Sequence, residues 1–318
     1  MAEIHVVVTE PIHQAGVDYL ESKGVRVTHL PQGAGEEGLL ELVPGVDGLI
    51  TRGSVKITRQ HMEASPRLKA IGVHGIGCDH VDLEAARELG KTVLNTPDAL
   101  TTTVAEMAVA LAMALIRNIP TADKAVRAGQ WSRKYGDLIG RELSGMEVGV
   151  VGMGRIGAAT ALRFQALGAR VSYWSRTRKP ELEERHGLRW AELPQILSQS
   201  QLITLHIPYT PQTHHLIGRS EIQSMRDGAY LVNTARGKVV DQQALVEALK
   251  TGKLGGAALD VFEVEPLPPS SPLTEMDNVI LTPHLAASTQ EAMRNMALQV
   301  AEGVLETIRG GEPENRVV

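Results

Sequence analysis

One stretch of the chain constrains its fold more than any other: an apolar run, a glycine-rich turn and an amphipathic segment between Glu147 and Gly168. The turn reads Gly152-Met153-Gly154-Arg155-Ile156-Gly157, which matches G-x-G-x-x-G. The apolar residues before it predict a buried strand, and residues 158–167 predict a helix that Gly168 ends. This arrangement is typical of the first βα turn in a doubly wound parallel sheet.

Each glycine of this turn has a physical role in binding a dinucleotide. Gly152 permits the tight turn, Gly154 lets the backbone approach a pyrophosphate, and Gly157 lets the helix pack on the strand. Arg155 and Ile156 begin the helix, whose N-terminus attracts phosphate groups. We therefore predict that these five residues bind a dinucleotide; the alternative is an ordinary turn between a strand and a helix.

The patterns on either side predict two α/β domains, because 318 residues exceed the size at which one core stops growing. Short apolar runs alternate with amphipathic segments, which predicts parallel sheets and a Rossmann-like or flavodoxin-like fold for each domain. The predicted strands are residues 4–8, 25–30, 46–50, 68–73 and 92–95, then 147–151, 170–174, 201–207, 229–233, 255–261 and 279–282.

The final helix pattern, residues 288–309, follows the last of these strands, and no further strand is predicted for it to connect to. We expect it to return to the first domain. The doubly wound cofactor domain, residues 99–286, is then inserted into a substrate-binding domain made of residues 1–98 and 287–318.

The residues after the second strand of the cofactor domain indicate which dinucleotide binds. An acidic residue is expected there for NAD, about 20 residues beyond the glycine turn, and none is present. Ser175 and Thr177 offer hydroxyl groups instead, and Arg176 offers a guanidinium suited to a 2′-phosphate. We predict a preference for NADP(H), with NAD(H) possible, because arginines are also common in solvated turns.

Three polar residues lie at or just after the ends of later strands: Arg236, Glu265 and His284. A 2-keto acid that accepts a hydride needs its carboxylate held and a proton delivered to its oxygen. Arg236 can hold the carboxylate, His284 can donate the proton, and Glu265 can orient the imidazole and favour its charged form. Each residue also has a structural alternative, as a turn cap, a loop residue or a hydrogen-bonding histidine.

Several strings in the chain resemble the D-2-hydroxyacid dehydrogenases, in the expected order. They are Val73-His74-Gly75-Ile76-Gly77-Cys78-Asp79, Asn95-Thr96-Pro97, Thr103-Val104-Ala105-Glu106, Val232-Asn233-Thr234-Ala235-Arg236-Gly237, Ala258-Leu259-Asp260-Val261-Phe262 before Glu265-Pro266, and Thr282-Pro283-His284-Leu285-Ala286. The resemblance covers nearly the whole chain. It implies that Arg236, Glu265 and His284 are the catalytic trio.

The same resemblance implies further contacts. The backbone amides at Ile76 and Gly77 bind the substrate carboxylate. The residues implied to contact the cofactor are Thr103, His206, Ile207, Pro208, Thr234, Ala235 and Asp260, of which Asp260 reaches the nicotinamide amide and His206 could equally be structural. The resemblance also implies a homodimer formed through the cofactor domain.

Two loops bear on the substrate. Ser175–Pro180 looks most like the NADP-preferring glyoxylate and hydroxypyruvate reductases, whereas Thr51-Arg52-Gly53-Ser54 resembles a loop of phosphoglycerate dehydrogenases. Arg52 could therefore bind an anionic substrate tail or face solvent. Because the sequence stops at Val318, we do not expect the regulatory domain that many phosphoglycerate dehydrogenases carry, although short forms of that enzyme exist.

These observations favour a reductase that converts a small 2-keto acid, of the glyoxylate or hydroxypyruvate type, to a D-2-hydroxy acid with NAD(P)H. The alternatives are an NAD-dependent D-3-phosphoglycerate or D-lactate dehydrogenase and, in another class, a corepressor-like protein that senses dinucleotides.

Composition argues against other classes. A net charge of −5 without a dense basic run makes nucleic acid an unexpected partner. No apolar run approaches the roughly 18 residues that span a membrane, so a cytoplasmic protein without a membrane partner is expected. Cys78 is the single cysteine and the 11 histidines are scattered, so neither a disulfide framework nor a metal site is expected.

Overall fold

The computed structural model of the protein describes residues 3–318. The strands in this range are β1 (Ile4–Val8), β2 (Val25–His29), β3 (Gly48–Thr51), β4 (Ala70–Val73), β5 (Thr92–Leu94), β6 (Glu147–Val151), β7 (Arg170–Trp174), β8 (Arg189–Trp190), β9 (Leu202–Leu205), β10 (Ala229–Asn233), β11 (Leu254–Leu259) and β12 (Val279–Leu281).

The α-helices are α1 (Gln14–Ser22), α2 (Gly35–Leu42), α3 (Arg59–Glu63), α4 (Leu83–Glu88), α5 (Thr101–Ile116), α6 (Ile119–Arg127), α7 (Arg155–Ala166), α8 (Pro180–His186), α9 (Leu193–Gln199), α10 (Arg219–Ser224), α11 (Gln242–Lys250) and α12 (Gln290–Ile308). Short 3₁₀ helices cover Trp131–Tyr135, Gly237–Val239 and Pro272–Glu275.

The chain forms two compact units. Unit 1 runs through Leu100 and includes Ala287–Val318, and unit 2 is Thr101–Ala286. The sheet of unit 1 has the order β2-β1-β3-β4-β5, and that of unit 2 has the order β12-β11-β10-β9-β6-β7-β8. All strand pairs are parallel. The predicted fold class, two parallel-sheet α/β domains, is confirmed.

Helix α12 packs on the sheet of unit 1 at two glycines. A Cβ atom at Gly48 would lie 2.8 Å from Val304 Cγ1, and one at Gly72 would lie 2.5 Å from Val300 Cγ2. Both valines are fully buried. The absence of side chains on β3 and β4 at these points therefore lets the helix approach the strands closely.

The strand count differs from the prediction, because unit 2 has seven strands where the sequence patterns predicted six. The additional strand, β8, has only two residues and pairs with β7 at the edge of the sheet, which is too short for an alternating pattern to reveal. Helix α2 was also missed. Gly35 and Gly38 lie within it, and glycine lowers helix propensity by about 1 kcal/mol relative to alanine.

Helix α5 is apolar on most of its surface because it belongs to the core of unit 2. Leu111, Leu115 and Ile116 are buried with strands of that unit. Among residues 3–318 no single helix is long and apolar enough to cross a membrane; α5 and α6 satisfy that criterion only as a pair, and they are bent by 57°.

Candidate active site

The glycine turn lies where the strand order of unit 2 reverses. Strand β6 lies between β7 and β9, and ligands of open α/β sheets bind at the carboxyl ends of strands at such a point. Gly152 follows β6 with a φ of +101°. A Cβ atom there would lie 2.5 Å from the His206 carbonyl oxygen, and one at Gly157 would lie 1.9 Å from the Gly152 oxygen. Only glycine fits either position.

Gly154 differs from these two glycines. It occupies the N-cap position of α7 with a φ of −76°, and a Cβ atom there would have no neighbouring atom within 4 Å. The space outside this residue is open, and the N-terminus of a helix of 12 residues lies beside it. This geometry fits a dinucleotide pyrophosphate, with Arg155 and Ile156 in the first turn of the helix.

The two arginines of the predicted cofactor loop, after β7, differ in their contacts. Arg178 donates to Glu183 at 2.8 and 2.5 Å. Arg176 is exposed, and no ion pair involving it is found within residues 3–318. Ser175 donates its hydroxyl hydrogen to the Thr177 carbonyl oxygen at 2.6 Å. Arg176 is thus available to a ligand, whereas Arg178 stabilises the loop.

The segment after β9 adjoins the glycine turn. Burial lowers the pKa of His206 to about 3, and its Nε2 lies 3.0 Å from the Thr204 hydroxyl oxygen. His206 is therefore neutral near pH 7. Ile207 is buried, while Pro208 is exposed, so the side chains of these three residues beside the turn are uncharged.

Thr234, after β10, has a buried hydroxyl without a hydrogen-bond partner among the described residues. A buried polar group of this kind costs free energy unless a partner satisfies it. A bound dinucleotide would supply such a partner, so the residue fits the predicted cofactor site. Ala235 follows it and is partly exposed, and Thr103 is a partly exposed residue of α5.

The structure brings two residues of the predicted trio into contact. His284 Nδ1 lies 2.7 Å from Glu265 Oε2, and Glu265 Oε1 accepts a hydrogen bond from the Phe262 amide at 2.9 Å. Partial burial alone would raise the pKa of Glu265. The hydrogen bonds from His284 and Phe262, together with the charge of Arg236, outweigh that effect and lower the pKa. Glu265 is therefore an ionised partner for the imidazole.

Asp260 holds the loop that carries His284. Its fully buried carboxylate accepts hydrogen bonds from the Thr282 hydroxyl at 2.6 Å and from the Leu285 and Ala286 amides at 2.9 Å each. His284 itself has a φ of +50°. The sequence strings implied only a cofactor contact for Asp260, and its hydrogen bonds to this loop were missed.

Arg236 is held in a comparable way by Asn233, a residue for which the sequence predicted no role. The Asn233 amide group donates to the Arg236 carbonyl at 2.9 Å and accepts from the Ala235 amide at 3.0 Å. A Cβ atom at Gly237 would lie 1.9 Å from the Phe262 carbonyl carbon. The absence of a side chain thus lets the turn after Arg236 pack against the segment that leads to Glu265.

The predicted substrate-binding residues lie in unit 1. Ile76 and Gly77 follow β4 and are partly exposed, and Arg52 follows β3 and is exposed. The Asn95 side chain donates to the Ile76 carbonyl at 2.9 Å, which fixes this segment. Within the described part of the chain, no group of three or more His, Cys, Asp or Glu residues could hold a metal ion.

The sequence model described as "D-isomer specific 2-hydroxyacid dehydrogenase, NAD binding domain" matches residues 109–286. The D-3-phosphoglycerate dehydrogenase of Archaeoglobus fulgidus is 39% identical over 312 residues, which cover 98% of this chain and 59% of that protein. The chain thus spans well under two thirds of that relative. The glyoxylate reductase of Thermofilum pendens is 40% identical, with 98% of this chain and 94% of that protein covered.

Among solved structures, the NADPH-dependent glyoxylate/hydroxypyruvate reductase from Sinorhizobium meliloti, in complex with NADP and malonate, superposes with a TM-score of 0.88. It is 29% identical, and the match covers 100% of this chain and 97% of that one. Because the family model spans more than half of the sequence and the relatives match along nearly all of it, the chain belongs to the D-isomer specific 2-hydroxyacid dehydrogenase family, a family of NAD(P)-dependent dehydrogenases.

Proposed function

We propose that the protein is an NADP(H)-dependent reductase that converts a small 2-keto acid of the glyoxylate or hydroxypyruvate type to a D-2-hydroxy acid. The observation that carries this proposal is the 2.7 Å contact between His284 and Glu265, in the same unit as a turn that fits a dinucleotide. A histidine paired with an ionised carboxylate can deliver a proton to a carbonyl oxygen.

The proposed roles follow from the contacts of each residue. When bound, a reduced nicotinamide would supply the hydride for the keto carbon. His284 Nδ1 is engaged by Glu265, so Nε2 donates the proton to the keto oxygen and the C=O group becomes CH–OH. Arg236 and the backbone amides at Ile76 and Gly77 bind the substrate carboxylate. Glu265, ionised because its pKa is lowered, stabilises the charged imidazole before transfer.

The cofactor preference rests on the loop after β7. An exposed guanidinium at Arg176, not paired with an acid in the described chain, suits a 2′-phosphate dianion, and the hydroxyls of Ser175 and Thr177 lie in the same loop. The proposed contacts with the rest of the dinucleotide are Thr103, Gly152, Gly154, Arg155, Ile156, Gly157, His206, Ile207, Pro208, Thr234, Ala235 and Asp260.

The decisive experiment measures kcat/KM for a panel of 2-keto acids with NADPH and with NADH. We expect turnover of glyoxylate or hydroxypyruvate, with NADPH preferred. Replacement Arg176→Gln should raise KM for NADPH about tenfold or more while KM for NADH changes little, because a charge-assisted hydrogen bond contributes roughly 1.5–3 kcal/mol. An unchanged cofactor preference in Arg176→Gln, or an initial preference for NADH, contradicts the NADP(H) proposal.

A second candidate is a D-3-phosphoglycerate dehydrogenase. It is favoured by the exposed Arg52 and by the similarity to the Archaeoglobus fulgidus protein. Phosphohydroxypyruvate is therefore included in the panel, and a kcat/KM for it far above that for glyoxylate and hydroxypyruvate would select this candidate.

We also propose a homodimer formed through unit 2. Between residues 119 and 139 this unit exposes large apolar side chains, among them Trp131 at 65%, Tyr135 at 76% and Ile139 at 69% exposure. Such a concentration is typical of a surface that another subunit covers. Sedimentation velocity should give the mass of a dimer, and Trp131→Ser with Ile139→Ser should shift it toward the monomer; a monomeric parent protein contradicts the proposal.

A further inference from the structure

The strand order of unit 1 reverses between β1 and β3. In open α/β sheets this is the point where ligands bind, at the carboxyl ends of the two strands. Two charged residues flank it: Glu10 follows β1 and Arg52 follows β3.

The carboxylate of Glu10 is hydrogen-bonded to backbone amides of the loop after β3. It accepts hydrogen bonds from the amides of Arg52 at 2.8 Å, Ser54 at 2.6 Å and Val55 at 3.2 Å, and also from the Thr9 hydroxyl. Gly53, with a φ of +117°, lets these amides face one point. Successive amides in such a loop form an anion-binding concavity, and here the anion is a side chain of the same chain.

The charge of Glu10 agrees with its role as the anion bound by these amides. Burial alone would raise the pKa of Glu10, but the hydrogen bonds from the Thr9 hydroxyl and the loop amides outweigh it, and the pKa is lowered. Glu10 is therefore ionised near neutral pH. A charged acceptor of several amides fixes the backbone at Arg52 more strongly than a neutral one would.

The side chain of Arg52 remains accessible. One nitrogen, Nη1, donates to the Pro11 carbonyl at 2.7 Å, and Nη2 lies 3.9 Å from the Met293 sulfur, a weak acceptor. These contacts within the described residues are to a carbonyl oxygen and a thioether and not to a carboxylate, so the charge and the other N–H groups of Arg52 can serve a ligand.

His74 follows the neighbouring strand β4 and is a further polar group at the carboxyl ends of these strands. It is 5% exposed, and neither of its ring nitrogens has a hydrogen-bond partner within residues 3–318. Burial and the charge of Arg52 lower its pKa to about 4, which makes it neutral near pH 7. Of His74 and Arg52, only Arg52 therefore carries a positive charge near pH 7.

We propose that Glu10 is a positioning residue that holds Arg52 to recognise a hydrogen-bond-accepting group, hydroxyl or phosphate, on C3 of the substrate. The inference rests on the proposed reduction of 2-keto acids. It predicts that the protein prefers hydroxypyruvate to pyruvate, which differs only by lacking that hydroxyl.

The test is a double-mutant cycle on the full chain, with kcat/KM measured for hydroxypyruvate and pyruvate. Arg52→Gln should lower the preference for hydroxypyruvate about tenfold, mainly through KM, as expected for the loss of a hydrogen bond to a charged group. Glu10→Gln should lower the same preference by a similar factor, and the double variant no further than Arg52→Gln alone. Ser54→Ala, which keeps the backbone amide of this loop, is the matched control and should retain the preference.

Three results would overturn the inference: an unchanged preference in Glu10→Gln, an equal loss of kcat/KM on both substrates, or additive effects in the double variant. If Glu10→Gln does not fold, Glu10→Asp, which keeps the charge but shortens its reach, provides the same test. A parent protein without turnover of any 2-keto acid refutes the proposed function and this inference with it, whereas turnover with an unchanged preference refutes the inference alone.

Discussion

The neutral His206 makes the stability of unit 2 depend on pH in a predictable direction. Its pKa in the folded chain is about 3, against an ordinary value of 6.5. Between these values the unfolded chain binds a proton that the folded chain does not. Stability contributed by the neutral imidazole is therefore present above pH 6.5 and is lost progressively as the pH falls toward 3.

The size of the effect follows from the shift. Between pH 7 and pH 5 a shift of this size lowers the free energy of unfolding by about 2 kcal/mol, and some remaining solvent exposure of His206 reduces this to about 1–2 kcal/mol. Replacement His206→Gln should remove this part of the pH dependence, whatever it does to stability at pH 7.

The assay is urea unfolding at pH 5, 6 and 7, followed by tryptophan fluorescence. All three tryptophans, Trp131, Trp174 and Trp190, belong to unit 2, so the signal reports on the unit that contains His206. A matched control, His214→Gln, removes a more accessible histidine from the same unit and should keep the parent slope. If the free energy of unfolding of His206→Gln falls between pH 7 and pH 5 as much as that of the parent, His206 is not a source of this pH dependence.

Three further predictions concern the site. Gly154→Ala should keep the stability of the protein but weaken dinucleotide binding about tenfold or more, because its Cβ atom meets no protein atom, whereas Gly157→Ala should lower stability by about 1–3 kcal/mol; titration with NADPH and urea unfolding distinguish them. His284→Asn should lower kcat by about 10²–10⁴-fold with little change in dinucleotide affinity, and an active variant would exclude its role as the proton donor. Asp260→Asn should lower kcat and also the free energy of unfolding, the latter by about 1–3 kcal/mol, because two backbone amides and a hydroxyl compete for one remaining acceptor oxygen; a parent-like kcat would show that the His284 loop does not depend on this carboxylate.

The sequence predicted the parts of the fold whose signals are local. The strands at β1, β6, β7 and β10 have the predicted boundaries, because short runs that are continuous or alternating in apolar residues, between glycines or polar turns, leave little choice of structure. Strand β8 and helix α2 were not predicted, because their signals are not local. The pairing of β8 with β7 and the packing of a glycine-containing helix depend on tertiary contacts that no window of sequence contains.

The candidate site divides in the same way. Arg236, Glu265 and His284 could be singled out by chemistry and position, since each follows the end of a strand. The supporting contacts could not, because Asn233 and Asp260 act through backbone amides and carbonyls of residues up to 26 positions away. The contacts of Glu10 were harder still to predict, because the backbone amides that it binds lie more than 40 residues further along the chain and its sequence neighbours carry no motif.

The packing of α12 on Gly48 and Gly72 has a consequence for synthesis on the ribosome. All five strands of unit 1 leave the ribosome about 200 residues before the helix that covers them, which at roughly 5–20 residues per second is a delay of about 10–40 s. Unit 2 is contiguous and can complete its core during that interval. The apolar face of β3 and β4 lacks its covering helix until α12 has been synthesised, so the nascent chain exposes a surface of the kind that chaperones bind after unit 2 has had time to fold.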